Sequence, residues 1–113
     1  MLKFYNKASC GSCKKAKAYL ERRGLDFESI DITREPPARE LLEKAMDPRN
    51  PKGSLNQRSG VFRKKELGTR ELTSAETIAL MLGDPNLIRR PFFVDGDRVY
   101  QGFEPAAFET FLG

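Results

Sequence analysis

The chain has 113 residues, 39% hydrophobic and 32% charged, which fits one domain around one modest core and argues against long disorder. Its 20 Lys and Arg exceed its 16 Asp and Glu, for a net charge of +4, and it contains no histidine. That absence excludes Cys–His and Ser–His catalysis and every His-containing zinc site, while two cysteines cannot supply the four thiolates of an all-cysteine zinc site.

In chain order, MLKFYN (1–6) reads as a first strand. A Lys-rich helix follows Cys10, with Ala16 and Leu20 on its apolar face and Gly24 as its C-cap. LDFESIDI (25–32) alternates and reads as a second strand, so the first 32 residues form a βαβ unit with parallel pairing. EPPARELLEKAM (35–46) reads as a helix with Pro in its first turn, and DPRNPKG (47–53) as a loop. SLNQRSGVFRKKELG (54–68) reads as a helix interrupted at Gly60. A further helix starts at Thr73 or Ser74, with Glu76 close behind, and stops at Gly83 and Pro85; NLIRR (86–90) is a short turn. PFFV and RVYQ flank Asp95-Gly96-Asp97 as a hairpin with a three-residue loop, and EPAAFETFLG (104–113) closes as a helix with Phe108, Phe111 and Leu112 on its apolar face.

Without the middle helices, βαβ-ββα remains. This predicts an α/β protein of thioredoxin-like fold, a single domain over 1–113 with a helical insertion at about 36–88 between the two halves. No apolar run approaches the roughly 20 residues of a membrane span, and MLKFYNKASC lacks a signal-peptide core. No membrane association, a cytoplasmic location and a monomer are the expectations. The mild positive charge suits a solvated surface, an anionic substrate or an acidic partner; with no nucleic-acid-binding signature, direct nucleic-acid contact is not expected.

The chemistry centres on Cys10-Gly-Ser-Cys13. In a reducing compartment a CxxC pair reads as redox-active before structural or metallic. Cys10 falls where the first strand gives way to the first helix. There, unpaired N–H groups and the positive helix end favour a negative sulfur, and Lys7, Lys14 and Lys15 add positive charge. Cys13 lies one helical turn further in, as the less exposed, resolving thiol. Gly11 and Ser12 are small and let another molecule approach Cys10. Arg90-Pro91 stands just before the third strand, where this fold places a cis proline facing the redox cysteine, so a cis bond is predicted. Arg58 is a candidate guanidinium fork for an oxyanion or thiolate.

Together, Cys10-Gly-Ser-Cys13-Lys-Lys-Ala, Asn-Gln-Arg58-Ser-Gly-Val-Phe-Arg63, Leu87-Ile-Arg-Arg90-Pro91 and Gln101-Gly102-Phe103 resemble the ArsC/Spx family, in order and over nearly the whole chain. The resemblance implies that Cys10 attacks an oxyanion such as arsenate, or an oxidised thiol substrate, with Arg58 and Arg90 as two of three arginines around the oxyanion. The third is expected within RVYQGF, where this chain has Gln101 and Gly102, with Arg98 three residues before Gln101. Catalysis is assigned to Cys10, Cys13, Arg58 and Arg90, and substrate binding to Gly11, Ser12, Lys14 and Pro91, with no metal and no bound cofactor. The implied class is a thiol-dependent oxidoreductase using glutathione as co-substrate and glutaredoxin or thioredoxin for regeneration. The alternative is an Spx-type regulator, whose CxxC is a thiol–disulfide switch and which binds the C-terminal domain of the RNA polymerase α subunit. Such regulators usually carry a charged C-terminal extension, and this sequence ends at Gly113.

Overall fold

The computed structural model describes residues 1–113. Four strands form one sheet in the order β2-β1-β3-β4, with β1 at Leu2–Asn6, β2 at Phe27–Asp31, β3 at Phe92–Asp95 and β4 at Arg98–Gln101. β1 pairs parallel with β2 and antiparallel with β3, and β3 pairs antiparallel with β4. A parallel pair needs a crossover, and α1 (Gly11–Arg22) supplies it. This is the thioredoxin-like arrangement expected from the residue pattern.

Alternation along the central strands sorts the core to two faces. Leu2, Phe4 and Phe93 face one way and pack with Cys13, Ala16 and Leu20 of α1 and Phe108 of α5 (Pro105–Leu112). Tyr5, Phe92 and Val94 face the other way and pack beneath the middle of the chain: Leu42 of α2 (Arg39–Ala45), Phe62 of α3 (Gly60–Lys64), and Ile78 and Met81 of α4 (Ser74–Gly83). Aromatic rings dominate the first face. Phe93 stacks on Phe4 with centroids 5.1 Å apart and meets Phe108 at 4.4 Å. Offset and edge arrangements of this kind add to the area term.

Helix ends follow local chemistry. Gly24, at φ +65°, ends α1 in a Schellman motif: its N–H donates to Glu21 O and the Leu25 N–H to Leu20 O. Thr73 and Glu76 form the expected capping box at the start of α4.

Three expected boundaries move. Pro36 and Pro37 precede α2, which begins at Arg39 with Ala38 as a cap that offers no side-chain oxygen. A proline disfavours the helical region for the residue before it, so Glu35 and Pro36 do not join the helix. Gly60 does not interrupt a helix; it is the first residue of α3, whose N-cap Ser59 accepts from the Phe62 N–H. The stretch before it leaves helical geometry because Leu55 bridges Ile88. Finally, Asp95 pairs with Arg98, so the hairpin loop is two residues, Gly96-Asp97, with Gly96 at φ +64° in its first position.

Candidate functional site

Cys10 is the N-cap of α1, with extended backbone at φ −87° and ψ 119°, and its Sγ accepts the Cys13 N–H at 3.3 Å. The sulfur thus takes the position that a serine or aspartate oxygen holds at other helix starts. The Cys10 N–H donates to Lys7 O at 3.0 Å, closing the loop between β1 and α1. Lys7 anchors that loop from outside. Its ammonium meets Asp31 Oδ2 at 3.1 Å and Thr33 Oγ1 at 2.7 Å. Hydrogen bonds from the Thr33 side chain and backbone, then from Lys7, hold the Asp31 carboxyl well below the usual carboxylate range. The Lys7 charge expected to act beside Cys10 is therefore paired at the end of β2.

Both cysteines are free thiols, Cys10 half-buried and Cys13 buried at 3% exposure among Phe4, Phe93 and Phe108. Burial, and next a hydrogen bond with the Cys10 side chain, push the Cys13 thiol up to about 12, against opposing effects of the Lys7 backbone and the Arg90 charge. Cys13 therefore keeps its proton at neutral pH.

An open cleft of about 520 Å³ lies over Cys10. One wall is the start of α1, with Ser9, Cys10, Gly11 and Ser12. The other is the insertion, with Gly53 and the run from Leu55 to Ser59, closed by Arg89 and Arg90. The insertion reaches this place because it is laced to the segment before β3. The Asn56 N–H donates to Leu87 O at 2.7 Å, the Arg89 N–H donates to Ser54 O at 3.0 Å, and Leu55 bridges Ile88. The Arg90–Pro91 peptide is cis, as expected.

Three arginines and no carboxylate line the cleft. Arg90 carries the sharpest signal: its Nη1 is buried and has no hydrogen-bond partner. A buried cationic donor left unpaired costs free energy comparable to a lost charged hydrogen bond, so this group is poised for an acceptor. Of the residues assigned from the sequence, the structure brings Cys10, Gly11, Ser12, Arg58 and Arg90 together on the cleft wall. Cys13 and Pro91 are buried and Lys14 is exposed on α1; all three stand outside its lining. Arg89 is the lining arginine that sequence reasoning missed, although it stands beside Arg90 in the Leu87–Pro91 motif. No three His, Cys, Asp or Glu side chains converge on a metal geometry. No helix is long and apolar enough to cross a membrane.

A cysteine at a helix start, the Arg89-Arg90 pair and an inserted arm bearing Arg58 form a thiol-containing cleft lined by three arginines on a thioredoxin-like frame. The chain belongs to the ArsC family, whose pattern matches residues 5–111. It is 32% identical over 114 residues to the global transcriptional regulator Spx of Streptococcus mutans, covering 99% of this chain and 83% of that protein. It is 33% identical over 106 residues to the regulatory protein MgsR of Bacillus subtilis, covering 92% and 84%. Among solved structures it resembles a "possible arsenate reductase" of S. mutans, with TM-score 0.84, 29% identity and 98% of each chain covered.

Proposed function

We propose that this protein is a thiol-dependent reductase of oxyanions, with Cys10 as the nucleophile and Arg90 and Arg58 as the groups that hold the anion. The observation that carries this reading is the buried, unpartnered Arg90 Nη1 beside a cleft that also contains Cys10. A guanidinium that gains a bidentate oxyanion satisfies its donors and neutralises charge on the electrophile. With arsenate as the substrate, the Cys10 sulfur attacks As(V) and water leaves, giving an S–As bond. A second thiol then attacks the Cys10 sulfur. An S–S bond forms, the S–As bond breaks and its electron pair stays on arsenic as As(III). Two thiols have become one disulfide, which glutathione with glutaredoxin, or thioredoxin, reduces.

The second thiol is Cys13 or glutathione. Cys13 is protonated and packed among aromatic rings, but its side chain hydrogen-bonds that of Cys10, whereas the cleft over Cys10 is open to a thiol from solution.

A redox-switched regulator that docks on the RNA polymerase α subunit is the second reading. The CxxC pair and the similarity to Spx and MgsR favour it. In that case a Cys10–Cys13 disulfide changes a surface rather than completing a turnover.

One assay separates them. The purified protein is incubated with glutathione, glutaredoxin, NADPH and glutathione reductase, with and without arsenate, beside Cys10→Ser. Arsenate-dependent NADPH loss that vanishes in Cys10→Ser supports the reductase. Absence of turnover, with capture of the polymerase α C-terminal domain that depends on oxidation, supports the regulator instead.

A further inference from the structure

At the place where the family resemblance leads one to expect a third arginine stand Gln101 and Gly102. Neither can hold an anion by charge, yet both are committed to one neighbour. The Gln101 side-chain amide donates to Arg89 O at 2.9 Å and to Ser54 O at 3.1 Å, so it ties the Arg89 backbone to the insertion. Gly102, buried and at φ +97°, donates its N–H to Pro91 O at 2.8 Å. A Cβ on Gly102 would lie 2.7 Å from Arg89 Nη2 and 3.0 Å from Arg89 Cζ. The Arg89 guanidinium thus occupies the space that any other residue at 102 would fill. Its side chain donates to Gly53 O at 3.5 Å, which leaves most of its donors uncommitted on the cleft wall.

We infer that Arg89, laid across the bare backbone of Gly102 and held by Gln101, is the third anion-binding arginine of the cleft, and that the three guanidiniums select a multiply charged oxyanion. The side chain comes from the neighbouring strand at the same end of the pair, since Arg89 precedes β3, Gly102 follows β4 and Phe92 pairs with Gln101. A divalent tetrahedral anion offers more acceptor oxygens and more charge to three guanidiniums than a small monovalent one, so it gains more from the third fork. This inference rests on the reading of the cleft as an oxyanion site, and its test separates the two.

The test uses the full chain and inorganic sulfate, which cannot be reduced, as the probe. Sulfate protection of Cys10 against iodoacetamide is measured at constant ionic strength, with formate as the monovalent comparison, in wild type, Arg89→Gln, Arg90→Gln, Gly102→Ala and the Arg89→Gln/Gly102→Ala double variant. Lys17→Gln, exposed on α1, controls for net charge. Sulfate is expected to protect the wild type more strongly than formate. Arg89→Gln should weaken sulfate protection by roughly tenfold or more, as a lost charged hydrogen bond does, and erase the preference over formate. Gly102→Ala should weaken it similarly, and should add nothing in the Arg89→Gln background, because it acts through that side chain. Equal protection of wild type and Arg89→Gln, with protection lost in Arg90→Gln, would overturn the role of Arg89 while leaving the oxyanion site standing. A Lys17→Gln loss as large as that of Arg89→Gln would also overturn it. Sulfate that fails to protect even the wild type would overturn both. Should Gly102→Ala not fold, because alanine is strained at positive φ, Arg89→Gln decides alone.

Discussion

Cys10 and Cys13 are three residues apart and hydrogen-bonded to each other, yet their surroundings differ. One sulfur caps a helix at the mouth of a charged cleft, and the other is packed against phenylalanine rings. The consequence for pH follows from the proton on Cys13. Below pH 9 both the folded and the unfolded chain keep it; between about 9 and 12 only the folded chain does. Stability therefore falls as pH rises through that window. Tyr5, raised mainly by burial, falls in the same direction, so the difference between wild type and Cys13→Ser isolates the cysteine. Thermal melts under reductant should show a shallower alkaline decline in Cys13→Ser; parallel curves would contradict the buried, protonated thiol. Asp31 works at the opposite end. Its depressed carboxyl, bound by Thr33 and Lys7, contributes stability that is present above the ordinary carboxylate range and is lost as pH falls through the folded value. The gap in melting temperature between wild type and Asp31→Asn should be constant near neutrality and close on acidification below about pH 4. A gap that widens in acid would refute the assignment.

At the level of elements, α5 illustrates how a short helix survives. Eight residues do not hold a helix in water by propensity. Phe108 holds this one by burying its ring completely against Phe93, Tyr19, Tyr100 and Phe103. Phe108→Ala should cost about 3–5 kcal/mol in denaturant unfolding, by lost transfer energy and a cavity. Thr73→Ala at the capping box of α4 should cost only about 1 kcal/mol. Near-equal losses would mean that α5 is held by something else. The four strands, α1, α4 and α5 were legible in the sequence because each carries its own local signal: β-rich or alternating residues, Gly24, Thr73 with Glu76, and the apolar face of Phe108, Phe111 and Leu112. The segment from Ser54 to Ser59 was not legible. Its shape is set by pairing with residues 87–89, a contact across more than thirty positions that no local pattern encodes. The site divided the same way. Cys10 and Arg90 announced themselves by neighbours in the chain, whereas Arg89 is recognised only through the missing side chain of Gly102 and the reach of Gln101.

Across the whole molecule, the two ends of the prospective reaction belong to different parts of the chain. The sulfur rides on the β1–α1 junction, in the densest layer of aromatic packing, while Arg58 rides on a turn of the insertion. Between them runs the lacing of Ser54–Asn56 to Leu87–Arg89. Segments held by few backbone hydrogen bonds open at free energies well below global unfolding. In hydrogen exchange, the amides of Asn56 and Arg89 should exchange before those of β1 and β3, and sulfate should slow them selectively. Exchange of all these amides at one common rate would show the insertion to be inseparable from the sheet. That lacing is like a drawstring: loosening it would part Arg58 from the sulfur and leave the four strands paired. An anion bridging the two sides of the cleft would draw it tight. Chemistry and recognition would share one seam in the molecule, and evolution could favour either by changing how firmly it is tied.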